Sequence, residues 1–158
     1  MGKPLYTQHE EYVAKVLGGS LTCSSGRKFY DKADVRVGHC QDEDSLLLDA
    51  KCTQQDRYRL TYAVWHKLAL EAGMVSRTPA LPIRFLDENG KVVRDLIVVP
   101  QGLARKCANV TISPLVLSGR TIMPDDSSGV PFKLTGGYAP PVSLVLLDLD
   151  EFVESRSQ

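Results

Sequence analysis

The stretch Leu46-Leu47-Leu48-Asp49-Ala50-Lys51 constrains this chain more than any other. It is a short apolar run that closes on an acid and a lysine two residues apart. Along a strand, side chains alternate faces with a period of two. Asp49 and Lys51 therefore project together, while Leu46, Leu48 and Ala50 occupy the other face. Upstream, Ala33-Asp34-Val35-Arg36-Val37 reads as a second strand, and pairing 33–37 with 46–51 brings Asp34 beside Asp49. The acid-x-Lys triplet by itself says little. With 19 acids and nine lysines in 158 residues, about one is expected by chance. Strand context is what gives it meaning.

The surrounding sequence predicts an α/β fold. Residues 8–17 read as a helix with Val13, Val16 and Leu17 on its apolar stripe and Gly18-Gly19 as its stop. Glu10, three residues before Val13 and seven before Leu17, falls on that stripe. Glu11, four before Lys15, reads as half of a surface ion pair. An inward carboxylate is costly unless a metal or a donor compensates it, which makes Glu10 the functional candidate. Residues 61–72 form a second helix burying Val64, Trp65, Leu68, Ala69 and Ala72, capped by Gly73; His66 falls between its faces and is expected to be exposed. Strands follow at 79–86 and 92–99, joined through Asn89-Gly90, a strong hairpin signal. Between 101 and 141 the sequence is rich in Gly, Ser and Pro, with short strands at 109–117 and 130–134. A last strand, 142–147, leads into an acidic helix near 150–154. The expected architecture is one domain over 1–158. It has a mixed central sheet flanked by helices in the order α-β-β-α-β-β-insert-β-α, with 101–141 as an unplaced insertion.

Composition narrows the function classes. Apolar content of 43% and charged content of 24% describe an ordinary globular chain. No apolar run approaches the 18 or so residues that span a bilayer, and the first residues lack the apolar core of a secretion signal, so a cytoplasmic protein is expected. Cys23, Cys40, Cys52 and Cys107 contain no Cys-x-x-Cys pair and read as reduced, small hydrophobes; the spacing around His39 and Cys40 does not support zinc. The formal charge is zero, with 19 basic and 19 acidic residues, which is unusual for a nucleic-acid protein. Its distribution is less neutral. Three acids of the N-terminal half form the loop Asp42-Glu43-Asp44, and three more, Glu10, Asp34 and Asp49, are the candidate metal ligands. Metal-bound, these no longer repel phosphate. The remainder is basic: Lys15, Arg27, Lys28, Lys32, Arg36, Arg57, Arg59, Lys67 and Arg77. The polar segment 22–28, with Ser24, Ser25, Arg27 and Lys28, suits phosphate contact, although such loops are more often connectors.

These motifs resemble a known family. Glu10-x-x-Val13-Ala14-Lys15-x-Leu17-Gly18-Gly19, the Ser-Ser-Gly loop, Lys32-Ala33-Asp34-Val35-Arg36 and Leu48-Asp49-Ala50-Lys51-Cys52-Thr53 resemble the PD-(D/E)xK nuclease superfamily. Within it, the chain is similar to the phage-encoded group related to archaeal Holliday junction resolvases. The likeness covers roughly residues 8–87. It implies a restriction-endonuclease-like core with Glu10 as the helix acid, Asp34 as the first strand acid, and Asp49 with Lys51 as the acid-x-Lys pair. It also implies Mg²⁺, replaceable by Mn²⁺, held by Glu10, Asp34 and Asp49. Branched or duplex DNA would be contacted by Ser24, Ser25, Arg27, Lys28, Arg36, Arg57 and Arg59. The implied product is a homodimer, in the bacterial host cell if phage-encoded, that hydrolyses four-way DNA junctions. Alternatives are a nuclease of the same fold acting on flaps, ends or mismatches, and a non-catalytic DNA-binding protein. The departures are a long Asp34–Asp49 interval, the low net charge and the 101–141 segment.

Overall fold

The computed structural model describes residues 2–22, 34–39, 42, 44–104, 116–137 and 139–157. Helix α1 (Leu5–Leu17) leads through β1 (Ser20–Leu21) to β2 (Val35–Val37), β3 (Leu46–Leu48), β4 (Lys51–Thr53) and β5 (Tyr58–Thr61). Helix α2 (Tyr62–Met74) precedes the long hairpin β6 (Thr78–Leu86) and β7 (Val92–Pro100). A 3₁₀ turn (Gln101–Ala104) and three further strands follow: β8 (Val116–Leu117), β9 (Gly119–Ile122) and β10 (Val130–Leu134). Strand β11 (Val142–Asp148) and helix α3 (Leu149–Arg156) complete the described chain.

Among the described residues, nine strands form one mixed sheet in the order β1-β2-β3-β6-β7-β11-β10-β8, with β4 also paired to β6, while β5 and β9 form a separate antiparallel pair. The β3–β6, β4–β6 and β10–β8 pairings are parallel and the others antiparallel. Period-two alternation sorts the central strands onto two cores. Leu81, Ile83, Phe85, Leu96 and Val98 join Trp65, Leu68 and Ala72 of α2 on one face. Ala80, Ile97, Val99, Val145 and Leu147 join Val13 and Ala14 of α1 and Leu149 and Phe152 of α3 on the other. The result is the expected mixed sheet flanked by helices, with both faces covered.

Several local details depart from the sequence reading. Helix α1 begins at Leu5, immediately after Pro4, whose fixed φ suits a helix entry. Its buried residues are His9, Val13 and Ala14, so the stripe is rotated and Glu10 lies half-buried on its flank. Glu11 pairs with Lys3 at 2.9 Å rather than with Lys15. Helix α2 starts as expected, with the Thr61 hydroxyl accepting from Val64 N–H at 3.3 Å. It runs through Gly73 to Met74. The stop is made at Ser76, with φ of 56°, and by Arg77 N–H donating to the Ala72 carbonyl at 2.9 Å. The Arg77 guanidinium, expected on a phosphate-facing surface, donates to the carbonyls of Val37 and Gly38, both at 2.8 Å. It holds the β2–β3 end of the sheet together. Trp65 is core at 2% exposure and His66 is exposed, both as read from the helical phase.

The described part of 101–141 is built into the sheets: β10 pairs with β11, β8 with β10, and β9 with β5. Residues 105–115 lie outside the described residues. At the other end, the chain entering β1 passes β2 so closely that a Cβ on Gly19 would overlap the Arg36 carbonyl. No helix among the described residues is long and apolar enough to cross a membrane.

Candidate active site

The register sets the site. β2 and β3 pair antiparallel with Val35 opposite Leu48, and continuing that register places Asp34 opposite Asp49. Asp34 N–H donates to the Leu48 carbonyl at 2.9 Å, and the Asp34 carbonyl accepts from Thr22 N–H at 3.0 Å. On the other side, β3 and β4 keep a single register against β6, Leu48 facing Ala80 and Lys51 facing Ile83. The ladder nonetheless breaks at Asp49-Ala50. Asp49 N–H donates to the Ala80 carbonyl at 3.2 Å. The reciprocal bond to the Asp49 carbonyl would come from residue 82, and Pro82 has no N–H to give. Just past this gap, Ala50 N–H donates to Asp34 Oδ2 at 2.9 Å. A proline on the neighbouring strand thus marks the point where the acid-x-Lys segment leaves the ladder and one of its amides turns to the other acid.

Asp34, Asp49 and Lys51 gather there, with Glu10 near enough for its charge to act on Asp34. Lys51 Nζ lies 3.2 Å from Asp49 Oδ2, with the two side chains 35% and 29% exposed. Asp34 and Asp49 face each other across β2 and β3. Burial, then the charge of Asp49, then that of Glu10 push the Asp34 carboxyl up to about 7, against the opposing pull of the Ala50 N–H bond. Glu10 is also raised, by burial first and then by Asp49 and Glu11. Asp34 and Glu10, both raised, lie near Asp49 with one lysine among them, and the site is short of positive charge.

That shortage is the test of fit for a cation. The donors are hard oxygens, which suits Mg²⁺ or Mn²⁺, and a cation would relieve the crowding of Asp34 against Asp49. Among the described residues, however, no three His, Cys, Asp or Glu side chains already converge as a ready metal cage. Asp34 and Asp49 fit as the direct pair; Glu10, half-buried on its helix, fits as the charge that completes the set.

The helix carrying Glu10 is fastened by a polar cluster. Arg84 and Asp95, partners across β6 and β7, form a two-pronged ion pair at 2.8 and 2.9 Å, with side chains only 9% and 14% exposed. The Tyr12 ring lies over the Arg84 guanidinium, 4.7 Å from its centroid. His9 is fully buried; neither ring nitrogen makes a well-formed hydrogen bond among the described residues, although the Pro82 backbone lies near enough to act on it. Burial, against the pull of the Asp95 charge, lowers its pKa to about 4, so it is neutral in the physiological range. His9 was legible in principle, since 9, 13, 16 and 17 share one helical face.

Of the other expected contacts, Arg36 lies on β2, two residues from Asp34 and so on the same strand face. Arg57 is exposed and paired with Asp56 at 3.1 Å. Arg59 is exposed on β5, with its guanidinium 3.5 Å from the Thr121 hydroxyl. Ser24, Ser25, Arg27 and Lys28 lie outside the described residues, as do Cys23, Cys40 and Cys107. Cys52 is a free, half-buried thiol. One site neighbour was not anticipated. Tyr58, on β5, is raised to about 12 by burial and by the charge of Asp49, so its phenol stays protonated beside the acids. A single tyrosine in a polar stretch carries no periodic signal.

Among solved structures, the chain is similar to Hjc, a Holliday junction resolvase from the archaeal hyperthermophile Archaeoglobus fulgidus. The identity is 12%, the TM-score 0.45, and the match covers 76% of this chain and 84% of that one. No family model and no curated protein matches the sequence.

Proposed function

We propose that this protein is a metal-dependent nuclease that hydrolyses DNA phosphodiesters, and that four-way junctions are its substrate. The observation that carries the chemistry is the placement of Asp34 opposite Asp49, with Lys51 at 3.2 Å from the latter. A binding module gains nothing from acids gathered where phosphate must approach. The junction preference rests on the sequence motifs, and it requires a two-fold dimer that presents two sites to two strands.

Asp34 and Asp49, with Glu10, would hold Mg²⁺ or Mn²⁺; when bound, the metal neutralises the phosphoryl oxygens and lowers the pKa of water in the site. The chain's own residues do the rest. Asp49 orients the Lys51 ammonium, which donates to the attacking water or to a phosphoryl oxygen as negative charge grows there. The water oxygen forms a bond to phosphorus as the bond from phosphorus to the leaving sugar oxygen breaks; the proton the water loses passes to solvent, and the leaving oxygen takes one from solvent. The Ala50 N–H fixes Asp34, and the Arg84–Asp95–Tyr12 cluster fixes the helix that carries Glu10. Exposed cations such as Arg59 contact backbone phosphates without reading bases.

The test is cleavage of labelled four-way, flap, mismatched and linear DNA with and without Mg²⁺. Paired symmetric cuts in the four-way junction support the full proposal. Equal cutting of all substrates would support a general nuclease, and no cutting with any divalent metal would overturn the enzymatic reading.

A further inference from the structure

A surface cleft of about 160 Å³ opens one helical turn from the candidate site, lined by Leu5, Tyr6, Cys52, Thr53, Gln54 and Leu86. Two independent elements run from the acids to this cleft. Along α1, Tyr6 precedes Glu10 by four residues and shares its face, a displacement of about 6 Å. Along β4, Thr53 follows Lys51 by two and shares its face, about 7 Å away. Among the described residues the lining contains no charged side chain, which argues against a phosphate or a metal ion as occupant. It offers an aromatic wall, Tyr6, left 59% exposed, and an apolar floor from Leu5 and Leu86. The turn of the β6–β7 hairpin backs that floor, a Cβ on Gly90 lying 3.4 Å from Leu5. Its polar groups are half used. Gln54 spends one amide N–H on the Asp87 carbonyl at 3.2 Å, and the Thr53 hydroxyl accepts from Gln55 N–H at 3.0 Å. The Gln54 oxygen remains as an acceptor and the Thr53 hydroxyl as a donor.

We propose that this cleft binds one unpaired nucleobase, stacked on Tyr6 and hydrogen-bonded at its edge by Thr53 and Gln54, from a nucleotide one or two positions from the scissile phosphate. The inference rests on the nuclease reading for its register. A flat, neutral ring with donors and acceptors on its rim matches the lining, and stacked bases 3.4 Å apart span the distance between site and cleft. A fully paired duplex does not present such a base, so the cleft selects DNA whose pairs open at the cut position, at a branch point, a frayed end or a nick.

Two experiments on the full chain decide it. In the first, four-way DNA carrying 5-iododeoxyuridine at each position flanking the cut is irradiated with the wild type in EDTA, and cross-linked peptides are sequenced. A cross-link to Tyr6 from one or two adjacent positions is expected; cross-links only elsewhere, or none, overturn the proposal. In the second, cleavage is timed on DNA made abasic at each position in turn. Loss of the stacked base should slow the wild type and Tyr6→Phe about ten-fold, and Tyr6→Ala less than about two-fold. Equal slowing in all three proteins at every position overturns the proposal while leaving the nuclease reading intact. If the wild type cuts no DNA with any divalent metal, the nuclease reading fails and the cross-link alone decides the cleft.

Discussion

Asp34 gives the sharpest consequence at the scale of single residues. Its carboxyl releases a proton near 3.8 in the unfolded chain but holds it to about 7 in the fold. Between those values the native state binds more protons than the unfolded one, so stability falls as pH rises across that window. Without divalent metal, the melting temperature should therefore decline between about pH 4 and pH 7, and Asp34→Asn should flatten the decline. Mg²⁺ should recover the loss near neutrality in the wild type and not in Asp34→Asn, because binding to the native state stabilises it. Melting curves in EDTA and in Mg²⁺ test both parts. For catalysis, Asp49→Asn and Lys51→Ala should each lower cleavage by about a hundred-fold or more while leaving the circular dichroism spectrum native. Glu10→Gln should lower metal-dependent turnover, whereas Glu11→Gln should change it little, since it removes a surface pair with Lys3 worth under about 1 kcal/mol. The juxtaposition of Asp34 and Asp49 was legible because two short strands admit few registers. The true burial phase of α1 was not, because Val16 and Leu17 mark the apolar stripe while the residues that are buried are His9, Val13 and Ala14. Nor could local sequence show that Arg77 is consumed by main-chain carbonyls 31 to 40 residues away.

At the scale of elements, the break between β3 and β4 depends on a residue in β6. Pro82→Ala would return an N–H opposite the Asp49 carbonyl and allow the ladder to run unbroken past Ala50. The expected result is cleavage reduced at least ten-fold with little change in melting temperature, because displacing a reacting group by about 1 Å costs far more in rate than in stability. Steady-state rates and thermal melts on one preparation check it. Unchanged cleavage in Pro82→Ala would mean the break has another cause. Helix α2 supplies the contrast. Leu68 is 1% exposed in the core beneath it, and Leu68→Ala should destabilise the protein by about 2–5 kcal/mol, measured by urea unfolding. Long periodic elements such as α2 and the β6–β7 hairpin could be read directly. β1, β5 and β9 could not: they are two to four residues long, too short for a period, and exist only because distant partners pair with them.

For the whole molecule, the question is how a chain of zero formal charge engages a polyanion. Acids gathered at the candidate site and cations elsewhere on the surface make the balance uneven, although Asp56 already engages Arg57. Replacing Arg57 and Arg59 together by Ala should weaken DNA binding and shallow the slope of log affinity against log salt by about one to two, the equivalent of one or two phosphates no longer neutralised. Gel-shift titrations across a salt series measure it. The overall architecture, a mixed sheet between helices, was legible from the alternation of helical and strand periods. The role of 116–134 was not. Its strands gain their meaning from β5, β10 and β11, contacts that cross the sheet rather than follow the sequence.

The core over α1 also sets an order of events in time. Val13 and Ala14, near the start of the chain, share one cluster with Val145, Leu147, Leu149 and Phe152 near its end. As the chain emerges from the ribosome, the helix bearing Glu10 waits, its apolar side covered only in part by Val35, Val37, Leu46 and Leu48, until residues 145–152 have been made. Such sequence-distant closure slows folding and lengthens the exposure of sticky surface. It also means that a chain stalled before residue 145 carries every one of the proposed catalytic residues without the packing that holds α1, and Glu10 with it, in place.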